Sequence, residues 1–191
     1  MKSNLLTPSE RIYLLDLART SIQAAVRKDD LPELEMEKLS PVLRANAATF
    51  VTLTVLGSLR GCIGTLEAYQ PLAMDVQEHA VAAAIEDPRF PPVTPKEVEG
   101  LRIEISRLTT PEPLIYSNPA ELPSRLRPGL DGVILRDGYL RATFLPQVWD
   151  SLPEPEEFLN QLCWKMHVPA GTWRERMLQV WTYQVEEFHE E

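Results

Sequence analysis

The 191-residue chain is short of glycine and cysteine, with eight of one and two of the other against 17 prolines. Scarce glycine with frequent proline implies stiff, well-defined connections rather than floppy linkers. It has no long apolar run either. The longest plain one, residues 80–85, is far too short to cross a bilayer, so no membrane span is expected. The first eight residues lack the apolar centre of a signal peptide. Two cysteines 101 positions apart make no disulfide framework, and a cytoplasmic location with reduced thiols is expected. Together with His79, His167 and His189 they show no zinc-site spacing, so no metal is expected. There is no basic run, and the net charge is -9, with four glutamates in the last six residues. Such a chain does not attract a phosphate backbone non-specifically. A glycine-rich phosphate loop and a G-x-S-x-G elbow are also missing. Composition therefore names neither substrate nor cofactor.

What glycine there is clusters. Gly57, Gly61 and Gly64 fall within eight positions, with Cys62 between the last two. Gly129, Gly132 and Gly138 form a second group. Residues 48–56 alternate Phe50, Thr52 and Thr54 against Val51, Leu53 and Val55, which predicts a strand. Gly57-Ser58 fits a two-residue hairpin loop, returning along 59–65. That register sets Leu53 opposite Cys62 and Val55 opposite Arg60. Cys62 then lies on the more apolar face, as a buried thiol. A bulge at Gly61 would turn it to the other face.

Helices are predicted at 7–29, opened by the capping box Thr7-Pro8-Ser9-Glu10 with Ile12, Leu15, Ala18, Ile22 and Val26 inward, and at 71–86 and 155–166. A proline-punctuated connection covers 31–46. Thr94 to Glu97 and Asn118 to Glu121 spell two further caps of short helices. Strands are predicted at 101–108, at 132–136 and 139–145 around the Asp137-Gly138 turn, and once within 177–188. Tight turns between neighbouring strands mean antiparallel pairing, so the class is α+β: mainly antiparallel sheet with flanking helices.

Both glycine clusters sit at predicted hairpins. They either wall one cleft, bared by missing side chains, or serve the turns alone. Cys62 is a candidate nucleophile, with Arg60 as the cation that would favour its thiolate, or else a packed thiol. Arg89, held in the stiff run Asp87-Pro88-Arg89-Phe90-Pro91-Pro92, which is expected to be extended, could present a guanidinium to an anionic ligand or pair with Asp87 at a helix end. Glu104 and Asp131 are candidate polar partners; solvation and a turn are their alternatives. Gly61, Gly64 and Thr65 complete the candidate ligand-binding set. His79 reads as a satisfied, partly buried histidine, and Cys163 as core.

The run Leu59-Arg60-Gly61-Cys62-Ile63-Gly64-Thr65 resembles the signature of the AMMECR family, named after the Alport-syndrome, midface-hypoplasia and elliptocytosis chromosomal region. Three further stretches match: 87–93, 132–135 continuing into 142–149, and the helix from Glu157-Phe158-Leu159 to Leu162-Cys163-Trp164-Lys165. The resemblance covers roughly residues 7–188. It is most similar to the prokaryotic branch called AmmeMemoRadiSam system protein A. One local departure is Met166-His167, where relatives often read Ala-Gly. The resemblance implies an α+β domain with a smaller lobe, the first motif lining a cleft, and a radical SAM protein and a Memo-type protein as partners. It implies no particular reaction. Two readings follow. One is an enzyme or enzyme subunit acting on a small or nucleotide-like molecule at the motif. The other is a non-catalytic partner protein with Cys62 tightly buried and an apolar patch around Phe90 or Trp149. A homodimer is a further expectation, as one way to cover an edge strand.

Overall fold

Thr7 opens the first helix as the sequence predicts. Its hydroxyl accepts the Glu10 amide, and the Glu10 carboxylate accepts the Thr7 amide in return. The computed structural model describes residues 5–191, and its elements run in chain order. They are α1 (Pro8–Arg27), α2 (Pro41–Arg44), β1 (Asn46–Val55), β2 (Ser58–Gly64), β3 (Gln70–Pro71), α3 (Leu72–Ile85), β4 (Leu101–Leu108) and β5 (Glu112–Pro113). Then come α4 (Leu122–Arg125), β6 (Gly132–Asp137), β7 (Leu140–Phe144), α5 (Pro155–Lys165), α6 (Thr172–Glu175), β8 (Gln179–Tyr183) and β9 (Val185–His189). The class is α+β, and the strand pairings with defined register are all antiparallel. Among the described residues no helix is long and apolar enough to cross a membrane.

The chain divides into two compact units. One runs up to Thr109 and includes Glu186–Glu191; the other is Thr110–Val185. In the first, the sheet order is β2-β1-β4-β9, with β3 paired to the start of β1. Helix α3 lies on β1 and β2, and α1 lies on α3 and β4. Val51, Leu53, Ile103 and Ile105 face Leu72, Val76, Ala80 and Ala83 in its core. The buried stripe of α1 is Leu14, Leu17, Ala18, Ser21 and Ile22, while Ile12 is exposed. The stripe is rotated from the predicted one because Ser21 can go inside: its hydroxyl donates to the Leu17 carbonyl at 2.6 Å.

In the second unit the sheet order is β5-β8-β6-β7. Phe158, Leu159, Leu162 and Cys163 of α5 pack with Val133 and Leu135. Trp149, expected in an exposed patch, is buried: its ring stacks on Phe158 at 3.7 Å and its indole N–H donates to the Asp131 carbonyl. The single strand expected within 177–188 is two, β8 and β9, one in each sheet. No glycine or proline marks the break. Burial of Glu186 in β9 is stabilised by Arg11, Arg107 and the Leu6 amide.

The first hairpin departs from its predicted register. Val55 pairs with Ser58, so the loop is Leu56-Gly57, both left-handed at φ 49° and 79°. Thr54 pairs with Leu59 but Leu53 with Gly61, leaving Arg60 as the extra residue of a β-bulge. The earlier loop and the bulge together set Cys62 opposite Thr52 instead of Leu53, hence on the other face of the sheet. Gly61 explains why this register holds. A Cβ there would stand 2.1 Å from the Ala83 carbonyl oxygen, so α3 rests directly on the strand backbone. The bulged Arg60 is anchored by Glu97: Nε donates to Oε1 at 3.0 Å. Thr94 adds its amide and hydroxyl to the same carboxylate.

Two predictions follow from this packing. Gly61→Ala should destabilise the chain by about 1–3 kcal/mol in chemical denaturation, because backbone must shift to admit the methyl. Gly100→Ala, with nothing within 4 Å, should stay within about 0.5 kcal/mol. The second concerns Glu97, whose pKa is held down to about 2, first by the Arg60 hydrogen bonds and then by Thr94. A depressed carboxylate stabilises the fold above its ordinary value of 4.5, and that contribution is lost as pH falls through about 2. NMR titration of the Glu97 carboxyl should give that low midpoint, and Arg60→Met should return it toward the ordinary range.

Candidate functional site

The bulge gathers chemistry on the sheet face opposite α3. Thr52 pairs with Cys62 on one side and with Glu104 on the other. Directly opposed residues share a face, so Cys62, Thr52 and Glu104 form one row across β2, β1 and β4. The next row is Gly64, Phe50 and Ser106. A side chain at Gly64 would collide with the Phe50 ring at 2.5 Å, so that ring occupies the space the glycine leaves. Thus both motif glycines accommodate internal packing: Gly61 for α3 and Gly64 for Phe50.

Cys62 is half-buried, neither sealed nor fully open. Its main-chain groups point away from β1, where an edge strand would leave them unpaired. The Asp87-Pro88-Arg89 segment satisfies both. The Asp87 Oδ2 accepts the Cys62 amide at 2.8 Å, and Arg89 Nη2 donates to the Cys62 carbonyl at 3.1 Å. Since neither group bonds to β1, Cys62 and Thr52 are a non-hydrogen-bonded pair, the kind with closer side chains. Accordingly the Thr52 hydroxyl lies 3.2 Å from the Cys62 sulfur and donates to it.

Asp87 also accepts the Arg89 amide, Nε and Nη2, at 3.0, 2.9 and 2.6 Å. Its carboxyl is held far below the ordinary range, chiefly by the Arg89 side chain and then by the Cys62 and Arg89 amides, which outweigh burial. In turn the Arg89 pKa is raised, first by Asp87 and further by the Cys62 side chain within its electrostatic reach. The segment is a turn, with the Phe90 amide on the Asp87 carbonyl, where extended chain was expected.

The candidate residues therefore separate. Arg60, expected beside the thiol as its cation, is bonded to Glu97, because the bulge takes it out of the predicted alternation. Arg89 stands at Cys62 instead. Glu104 is half-buried in the row, and its carboxylate has no hydrogen bond or ion pair among the described residues. Thr65 closes the strand: its amide donates to the Thr49 carbonyl, and its hydroxyl accepts the Glu67 amide at 3.1 Å. Asp131 lies in the other unit, buried, where its carboxylate takes the Arg127 amide and guanidinium and shapes the loop before β6. Burial raises the Cys163 thiol pKa and leaves it packed in its core. His79 is satisfied as expected: Nδ1 sits 3.2 Å from Asp75 Oδ2, which also accepts the Thr49 hydroxyl at 2.6 Å.

Sequence reasoning passed over Thr52, which reads as strand filler until the bulge sets it beside the thiol. Asp87 was visible as a partner of Arg89 but not as a cap on the strand edge. Among the described residues no group of three or more His, Cys, Asp and Glu could hold a metal ion.

Comparison with known proteins agrees with the motif. The AMMECR1 family model matches residues 15–188. A protein of Methanothermobacter thermautotrophicus is 39% identical, with all of both chains covered. Protein PF1979 of Pyrococcus furiosus is 37% identical over 94% of this chain and 87% of its own. The crystal structure of the uncharacterised protein PH0010 from Pyrococcus horikoshii superposes with a TM-score of 0.78 at 34% identity, over 94% of this chain and 90% of that one. With its fold, its motif and this match over nearly the whole length, the chain belongs to the AMMECR1 family.

Proposed function

We propose that the protein is an enzyme, or the subunit of one, acting on a small or nucleotide-like molecule at the sheet face that carries Cys62. The observation that supports this most is the row itself. A part-exposed thiol, a hydroxyl donating to its sulfur and an unpartnered carboxylate stand in register across three strands, with a guanidinium fixed at the thiol's strand edge. In this reading Cys62 is the nucleophilic contact, Thr52 and Arg89 hold it in place through its sulfur and its carbonyl, and Glu104 accepts a proton or hydrogen bond from the ligand.

A second reading has its own support. Leu56 is fully exposed and Leu59 is 44% exposed at the tip of the first hairpin, an apolar end that could dock a protein. Here the chain would be a non-catalytic partner of a radical SAM protein and a Memo-type protein.

Treatment of the native protein with iodoacetamide should modify Cys62 and spare Cys163, whose side chain is fully buried until unfolding. In the source organism, Cys62→Ala should abolish the protein's contribution while the variant stays folded. An unreactive Cys62, or full function retained by Cys62→Ala, would contradict the catalytic reading. If Leu56→Asp alone then removed function together with binding to either partner, the docking reading would stand in its place.

A further inference from the structure

We infer that the ligand of this site carries an oxyanion, a carboxylate or a phosphate, which Arg89 binds through its Nη1 edge beside Cys62. The inference rests on the reading of the Cys62 face as a ligand site and adds the chemical class of what binds there.

A guanidinium has five N–H donors in a rigid fork. Three of the Arg89 contacts turn inward: Nε to Asp87 Oδ1, and Nη2 to both Asp87 Oδ2 and the Cys62 carbonyl. Nη1 has no acceptor among the described residues, and the side chain is 54% exposed. The cation is thus held from behind and offered outward. Little rotamer freedom remains to be lost when an anion arrives, which is what separates a built donor from a waving surface arginine.

The paired carboxylate does not cancel this. The Asp87 side chain is only 2% exposed and its oxygens already receive four N–H groups. The solvent side of the pair therefore presents the guanidinium, not the carboxylate. Glu104 bounds the subsite from the other direction. It lies two strands from Cys62, about 10 Å away at the usual strand spacing, and repels an anion from that end of the row. An anion is held at the Arg89 end, and the rest of the ligand extends past the thiol toward a hydrogen-bond acceptor. Since the whole chain carries a charge of -9, attraction of an anion here has to be local.

Iodoacetate and iodoacetamide are similar in size and differ in charge, so their relative rates at Cys62 read the local field. Both rates are followed by mass spectrometry in the native protein and in the urea-unfolded chain. The iodoacetate-to-iodoacetamide ratio should be about fivefold higher in the native protein, the scale of one close charge pair in water-like surroundings. Inorganic phosphate or acetate should slow the native reaction with iodoacetate. Protection at lower phosphate than acetate concentration assigns a phosphate subsite, and the reverse order a carboxylate subsite. Arg89→Gln should return the ratio to the unfolded value, and Glu104→Gln should raise it. If Arg89→Gln fails to fold, anion protection of the wild-type protein decides. A native ratio no higher than the unfolded one, without protection by either anion, overturns this inference while leaving a reactive Cys62 in place. If neither reagent reaches Cys62 in the native state, the site reading and this inference fall together.

Discussion

A helix can lie on a strand at backbone distance only where the strand carries no side chain, and Gly61 under the Ala83 carbonyl is such a place. That contact fixes which residue of β2 faces inward. With Gly61 turned to α3, Cys62 must turn the other way, and the one-residue mismatch with the loop Leu56-Gly57 is absorbed by the bulge at Arg60. The position of the thiol, the identity of its neighbours and the displacement of Arg60 to Glu97 all descend from this one close approach.

The strand edge adds a second constraint. β2 is the outer strand of its sheet, so Cys62 carries an amide and a carbonyl that no neighbouring strand pairs. Asp87 and Arg89 pair both, as a short stretch of strand would, and in doing so bring a cation to the thiol. Protection of an edge and assembly of the candidate site are here the same set of hydrogen bonds. This explains why the stiff run around Pro88 and the glycine-bearing strand, 25 residues apart by the Asp87–Cys62 bond, belong together.

The elements were largely legible in the sequence because their signals are local. Thr7 and Glu10 announced α1, and the alternation of residues 48–56 announced β1. What could not be read is what tertiary contact decides. The loop Leu56-Gly57 is one residue earlier than the turn residues suggest, since only the requirement at Gly61 selects the register. At the second hairpin the loop is instead one residue later than the predicted Asp137-Gly138 turn: Asp137 pairs with Leu140 and the loop is Gly138-Tyr139. The split of 177–188 into β8 and β9 has no punctuating residue, and the burial of Glu186 depends on arginines from α1 and β4. In the candidate site Cys62, Arg89 and Glu104 were visible as residue types, while Thr52 was not, because its role depends on a bulge no local pattern specifies.

The register of the first hairpin is the claim from which the site follows. In a non-hydrogen-bonded antiparallel pair the facing α-carbons come within about 4.5 Å, which places their hydrogens in close contact. A two-dimensional NMR experiment should therefore show a strong cross-strand Hα–Hα Overhauser peak between Thr52 and Cys62. A peak placing Cys62 opposite Leu53 instead would mean an unbulged hairpin, with the thiol turned into the core and no site on the open face.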